Sequence, residues 1–184
     1  MIKKAIKKIK EYEEIGVFIF PITVMFIAPY IHEYIHIFFL NMFRCPYNFF
    51  MNISLRGIYG YIEPLCYLTS EQTFIDLIAP VIIVLCIGIF LFGLSFHLRP
   101  RKHPIVFIFI SSLAMGFTTS SALDFFSKDC DVKIAFESAQ IPVSNYIFIL
   151  IGIGIIVLST LFYLEILFEI SKVVQNRKPK VKHK

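Results

Sequence analysis

The sequence predicts an all-α integral membrane protein: four transmembrane helices, with a small membrane-associated β-hairpin or re-entrant loop after the first. Three observations predict it. Of the 184 residues, 57% are hydrophobic and 17% charged, where a soluble domain carries roughly a quarter charged; the mean hydropathy is +0.74. The apolar residues gather into four long blocks, and about 20 residues suffice to cross roughly 30 Å of hydrocarbon. Basic residues crowd alternate connections between the blocks. There is no internal repeat and no room for a sizeable soluble domain, so residues 1–184 read as a single membrane domain.

The elements follow in order. Residues 1–14, MIKKAIKKIKEYEE, place Ile2, Ala5, Ile6 and Ile9 at helical spacing with lysines opposite, the pattern of an amphipathic, basic surface helix. The first block, 15–40, follows a basic stretch as a signal peptide would. Ala28-Pro29 is a poor cleavage context, however, and the apolar run continues past it, so it reads as a retained span bent at Pro21 and Pro29. Residues 41–71 mix aromatics, β-branched residues, Gly57 and Gly60, with partial alternation around Asn52-Ile53-Ser54-Leu55; this is the hairpin or re-entrant loop. Residues 74–96, 104–126 and 145–168 are the remaining spans, and 172–184 form a basic tail.

Charge gives the orientation. Five lysines precede the first span. Arg99, Arg101 and Lys102 separate the second and third, and Lys172, Arg177, Lys178, Lys180, Lys182 and Lys184 follow the fourth. The other two connections hold only Arg44, Arg56, Lys128 and Lys133. That bias predicts cytoplasmic termini in the cell membrane. The basic residues flank apolar blocks instead of forming one face, which points to the lipid bilayer as a partner and away from nucleic acid.

Within the first span lies IHEYIHI. Positions i and i+4 share a helix face, so His32 and His36 can reach one Zn2+. Glu33 stands next to them, placed to take a proton from water that the metal activates. An ionisable group inside a membrane is costly, which favours function over accident; the alternative is a pair of hydrogen-bonded core histidines. Catalytic zinc takes three protein ligands. His32 lies about 25 Å, and Asp124 about 30 Å, from the cytoplasmic ends of their spans. Both fall in the outer part of the membrane, which nominates Asp124 as the third ligand. Asp76, at the start of the second span, is a candidate to orient a histidine, with an interfacial charge as the simpler reading; Glu63 is an outlying candidate for a ligand or an orienting group. Asp129 and Asp131 read as a solvated loop. Glu165 and Glu169, with His97 and His103, form a rival set at the inner end, where long side chains snorkelling to water are the simpler reading. The four cysteines show no C-x-x-C spacing, against a thiolate zinc knuckle. A Cys45–Cys66 bridge across the hairpin stays open, and Cys86 reads as a buried thiol.

A spanning helix bearing H-E-x-x-H after a proline (APYIHEYIH), then a membrane-associated hairpin, then a serine-rich span ending in an aspartate (TTSSALDFF), resembles the site-2 protease type of intramembrane zinc metalloprotease. It resembles more closely the small four-span zincin-type peptidase membrane proteins. Phe125 follows the aspartate where site-2 proteases usually carry glycine. The resemblance implies zinc-dependent hydrolysis of a transmembrane or membrane-proximal peptide, with His32, His36 and Asp124 on the metal and Glu33 as base. Two other classes stay open: a catalytically inactive metal-binding membrane protein, and a small ion or proton-relay transporter.

Overall fold

A computed structural model describes residues 14–54, 57–98, 103–126 and 130–176, with backbone alone at 170–171 and 173–176. The N-terminal amphipathic helix (apart from Glu14), Asp129 and the basic tail beyond 176 lie outside the described residues. The described residues form α1 (Glu14–Met42), β1 (Tyr47–Ser54), β2 (Gly57–Pro64), α2 (Ser70–His97), α3 (Pro104–Leu123), α4 (Asp131–Ser138) and α5 (Asn145–Asn176). Helices α1, α2, α3 and α5 are long and apolar enough to cross a membrane. Their outer surfaces keep large apolar groups exposed, among them Leu150, Leu158 and Phe168 on α5. Helices apolar all round yet open on several sides suit a lipid surrounding.

α3 is the central helix. Its small residues let neighbours approach closely. Gly116 meets the buried Thr23 of α1, where an added Cβ would stand 2.5 Å from the threonine Cβ. Ser121 Oγ donates to the Val81 carbonyl of α2 at 3.2 Å, with both residues buried. That bond fixes the height of α3 against α2, and so of Asp124 relative to Asp76.

α1 departs from regular α-helical geometry between its prolines. Thr23–Ile27 form a π-helical turn between Pro21 and Pro29, closed by the Ala28 N–H on the Thr23 carbonyl. A proline ring clashes with the carbonyl four residues earlier, and a widened turn relieves that conflict just before the histidines. α1 ends with Arg44 in the left-handed region (φ 57°) and the Cys45 N–H on the Leu40 carbonyl, a closure that satisfies a terminal carbonyl and turns the chain into β1.

The hairpin expected over residues 41–71 is an antiparallel pair running from Tyr47↔Pro64 to Ser54↔Gly57. Cys45 and Cys66 are bonded across its base, 21 residues apart. Closing a loop of that length in the unfolded chain contributes ~3 kcal/mol on the chain-entropy account. Replacing both cysteines with serine should therefore lower the unfolding temperature in detergent. Adding reductant to the parent should give the same decrease, and a parent that melts identically with and without reductant would contradict it.

Several boundaries differ from expectation, and α5 runs to Asn176, past 168. α2 starts four residues before 74, because Thr69 caps it: Thr69 Oγ accepts from Gln72 N at 3.2 Å and Gln72 Oε1 accepts from Thr69 N at 3.0 Å, a reciprocal capping box. α3 stops at Leu123, short of 126, with Asp124 as its C-cap. The connection before α5 holds the unforeseen helix α4. Cys86 is exposed, not buried, because it lies on the outward side of α2.

Candidate metal centre

One helix face, one turn apart, presents His32 and His36. Their Nε2 atoms lie 3.3 Å from each other. Asp131 Oδ2 approaches them at 2.8 Å from His32 Nε2 and 3.3 Å from His36 Nε2. These three residues form the one group among the described residues whose donor atoms could hold a metal ion together. Ligands ~2.05 Å from a tetrahedral metal are ~3.3 Å apart, the separation seen between the two nitrogens and between His36 and Asp131. The 2.8 Å approach is a direct hydrogen bond.

The far nitrogens of the same rings face carboxylates. His36 Nδ1 is 3.4 Å from Asp76 Oδ1 and His32 Nδ1 is 3.7 Å from Asp124 Oδ2. Asp76 is buried, and its Oδ1 has no hydrogen-bond partner. A buried carboxylate oxygen without a hydrogen bond is costly, and its place beside His36 Nδ1 fits a histidine whose other nitrogen is committed to a cation. Carboxylates behind metal-bound histidines fix ring orientation and raise basicity. Accordingly, Asp76→Asn should weaken the affinity of this donor group for a divalent metal ~10–100-fold, read by competition with a chelating indicator. Unchanged affinity would remove Asp76 from the centre.

The structure brings Asp131, not Asp124, into the compact triplet, and the reading of Asp131 as part of a solvated loop is corrected. Asp131 opens α4, where its charge suits a helix N-terminus. Val132 and Ala135 of α4 are buried, and Phe136 packs edge-on to Phe74 of α2 and Phe148 of α5. That apolar seat tips Asp131 onto the histidines. Burial pushes the Asp131 carboxyl up, but hydrogen bonds and charge from His32 and His36 outweigh it and hold it well below the usual carboxylate range. Burial raises the neighbouring Cys130 thiol. A signal for α4 existed in DVKIAFES: Val132, Ala135 and Phe136 recur at helical spacing.

Glu33, Asp76 and Asp124 line a cavity of about 730 Å³ together with the triplet. Glu63 does not line it; it points away on β2, near Asn48 Nδ2 at 3.4 Å. The strand alternation that turns Gly60 and Ile62 towards the cavity turns Glu63 to the other face. Glu165 and Glu169 do not join His97 or His103 in a donor cluster among the described residues; Glu169 pairs with Lys172 at 2.6 Å. Protein-family models, curated proteins and solved structures were compared with the chain, and none matches.

Proposed function

We propose that this chain is a membrane-embedded zinc metallopeptidase that hydrolyses peptide bonds of transmembrane or membrane-proximal substrates. The observation that carries it is the convergence of donor atoms of His32, His36 and Asp131, two of their three separations at tetrahedral-ligand spacing, in one cavity with Glu33. Two histidines and a carboxylate also suit iron; Glu33 favours hydrolysis, because a metal binder has no need of a base there. The resemblance to site-2 proteases and small four-span zincin-type peptidases supports the same reading.

Held by His32, His36 and Asp131, a zinc ion would supply the Lewis acidity that makes water a nucleophile near neutral pH. Glu33 takes the proton of the attacking water and returns it to the leaving amine. Asp76 and Asp124 hold the two imidazoles in register. An extended substrate is required, because a helix buries its own carbonyls in hydrogen bonds. β2 lines the cavity with Gly60, Tyr61 and Ile62, and among the described residues no strand pairs with its outer edge. The Leu65 N–H on the Pro46 carbonyl sets the alternation so that the main-chain groups of Gly60 and Ile62 point to that edge, where a peptide can add as a strand.

The test is a purified protein assayed against a model transmembrane peptide. Chelation should abolish cleavage and added zinc restore it. Cleavage that persists through full removal of metal would sink the reading.

Cytoplasmic termini and a site in the outer part of the membrane belong to the same proposal. The charge bias supports them, as does the Cys45–Cys66 bond, since disulfides persist on the oxidising side of a membrane. A cysteine introduced at Ser144 should react with an impermeant thiol reagent on intact cells, and one at His103 should not. The reverse result would invert the topology.

A further inference from the structure

Gly60 lies on β2 directly opposite Glu33. A Cβ at Gly60 would stand 2.7 Å from Glu33 Cγ, 2.9 Å from Cδ and 3.3 Å from Oε1. Carbon atoms in good contact lie about 3.5–4.0 Å apart, so even a methyl group does not fit while Glu33 keeps its place. The backbone does not demand glycine there, because among the described glycines only Gly57 has positive φ. What excludes a side chain at residue 60 is the Glu33 side chain itself.

The strand has little freedom to retreat. At one end of β2, Gly57 sits against α1, where a Cβ would be 2.8 Å from the Met25 carbonyl oxygen. At the other end the Cys45–Cys66 bond ties the hairpin base. α1 is equally constrained, since His32 and His36 flank Glu33 and are held by three aspartates. The flexible end of Glu33 is therefore the part that moves when residue 60 acquires a side chain.

We propose that Gly60 is a positioning residue: its missing side chain leaves the space that holds the Glu33 carboxylate over the metal centre. This rests on the reading of Glu33 as the base. In Gly60→Ala, kcat on the model transmembrane peptide should fall roughly 10²-fold, the scale of a misplacement of about 1 Å, with KM and zinc content at the parent level. Unchanged kcat would overturn the proposal. So would a raised KM with kcat retained, because the methyl group would then be obstructing substrate. If Gly60→Ala loses zinc or fails to fold, the double variant Gly60→Ala/Glu33→Ala decides the matter. It removes every atom that the new methyl group meets on Glu33, so it should fold and bind zinc as the parent does, and its failure would show that something other than Glu33 enforces glycine. Parent-level kcat in Glu33→Gln alone would instead overturn the reading of the base.

Discussion

Glu33→Gln should leave zinc content at the parent level and cut peptide cleavage by at least ~10²–10⁴-fold, the usual contribution of general acid–base catalysis. The variant keeps the shape of the side chain and its seat against Gly60 but cannot accept a proton. None of the three atoms that converge on the metal position belongs to Glu33, so metal retention is expected. The pairing of the two measurements gives the test its strength. Zinc in both proteins with activity only in the parent assigns Glu33 to the reaction. Zinc in both with activity in both would mean that some other group takes the proton. Zinc in neither would remove the centre itself and leave the histidines as hydrogen-bonded core residues.

The sequence announced the parts of the site that lie on one helix. His32, Glu33 and His36 follow from spacing alone, because an i, i+4 pair shares a face whatever surrounds it. The four long apolar helices were equally legible, since length and composition alone define them. Asp76 was legible only as one of two readings, an orienting partner or a simple interfacial charge at the start of α2. What failed to show was anything that depended on how a connection folds back. Asp131 belongs to an eight-residue helix between two longer ones, and its position is set by Val132, Ala135 and Phe136 finding a seat against α2 and α5. A depth argument along straight helices sees Asp124 and cannot see a side chain carried in from a capping helix. Gly60 was invisible for a related reason, because what excludes a side chain there is Glu33, 27 residues away in the chain.

Asp131→Asn should lose zinc affinity well beyond the ~10–100-fold expected for an orienting partner, whereas Asp124→Asn should stay within that range. Both residues are aspartates near His32, so the contrast rests on geometry. Asp131 Oδ2 meets the two Nε2 atoms at 2.8 and 3.3 Å, while Asp124 Oδ2 reaches only Nδ1 of His32, at 3.7 Å. A metal held between the Nε2 atoms has Asp131 on its own side of the rings and Asp124 behind one of them. Titration with a competing chelator measures each affinity directly. Cys130, 6% exposed and adjacent to Asp131, reports whether α4 keeps its seat: thiol reactivity at parent level shows that the helix has not detached, as its apolar contacts predict. Equal losses in the two variants, or a larger loss in Asp124→Asn with Cys130 still protected, would return the third ligand position to the end of α3. The result also bears on how the site assembles. With Asp131 as ligand, metal binding clamps α4 onto α1, so zinc should raise the unfolding temperature of the parent by an amount that grows with the logarithm of its affinity, and Asp131→Asn should lose most of that increment.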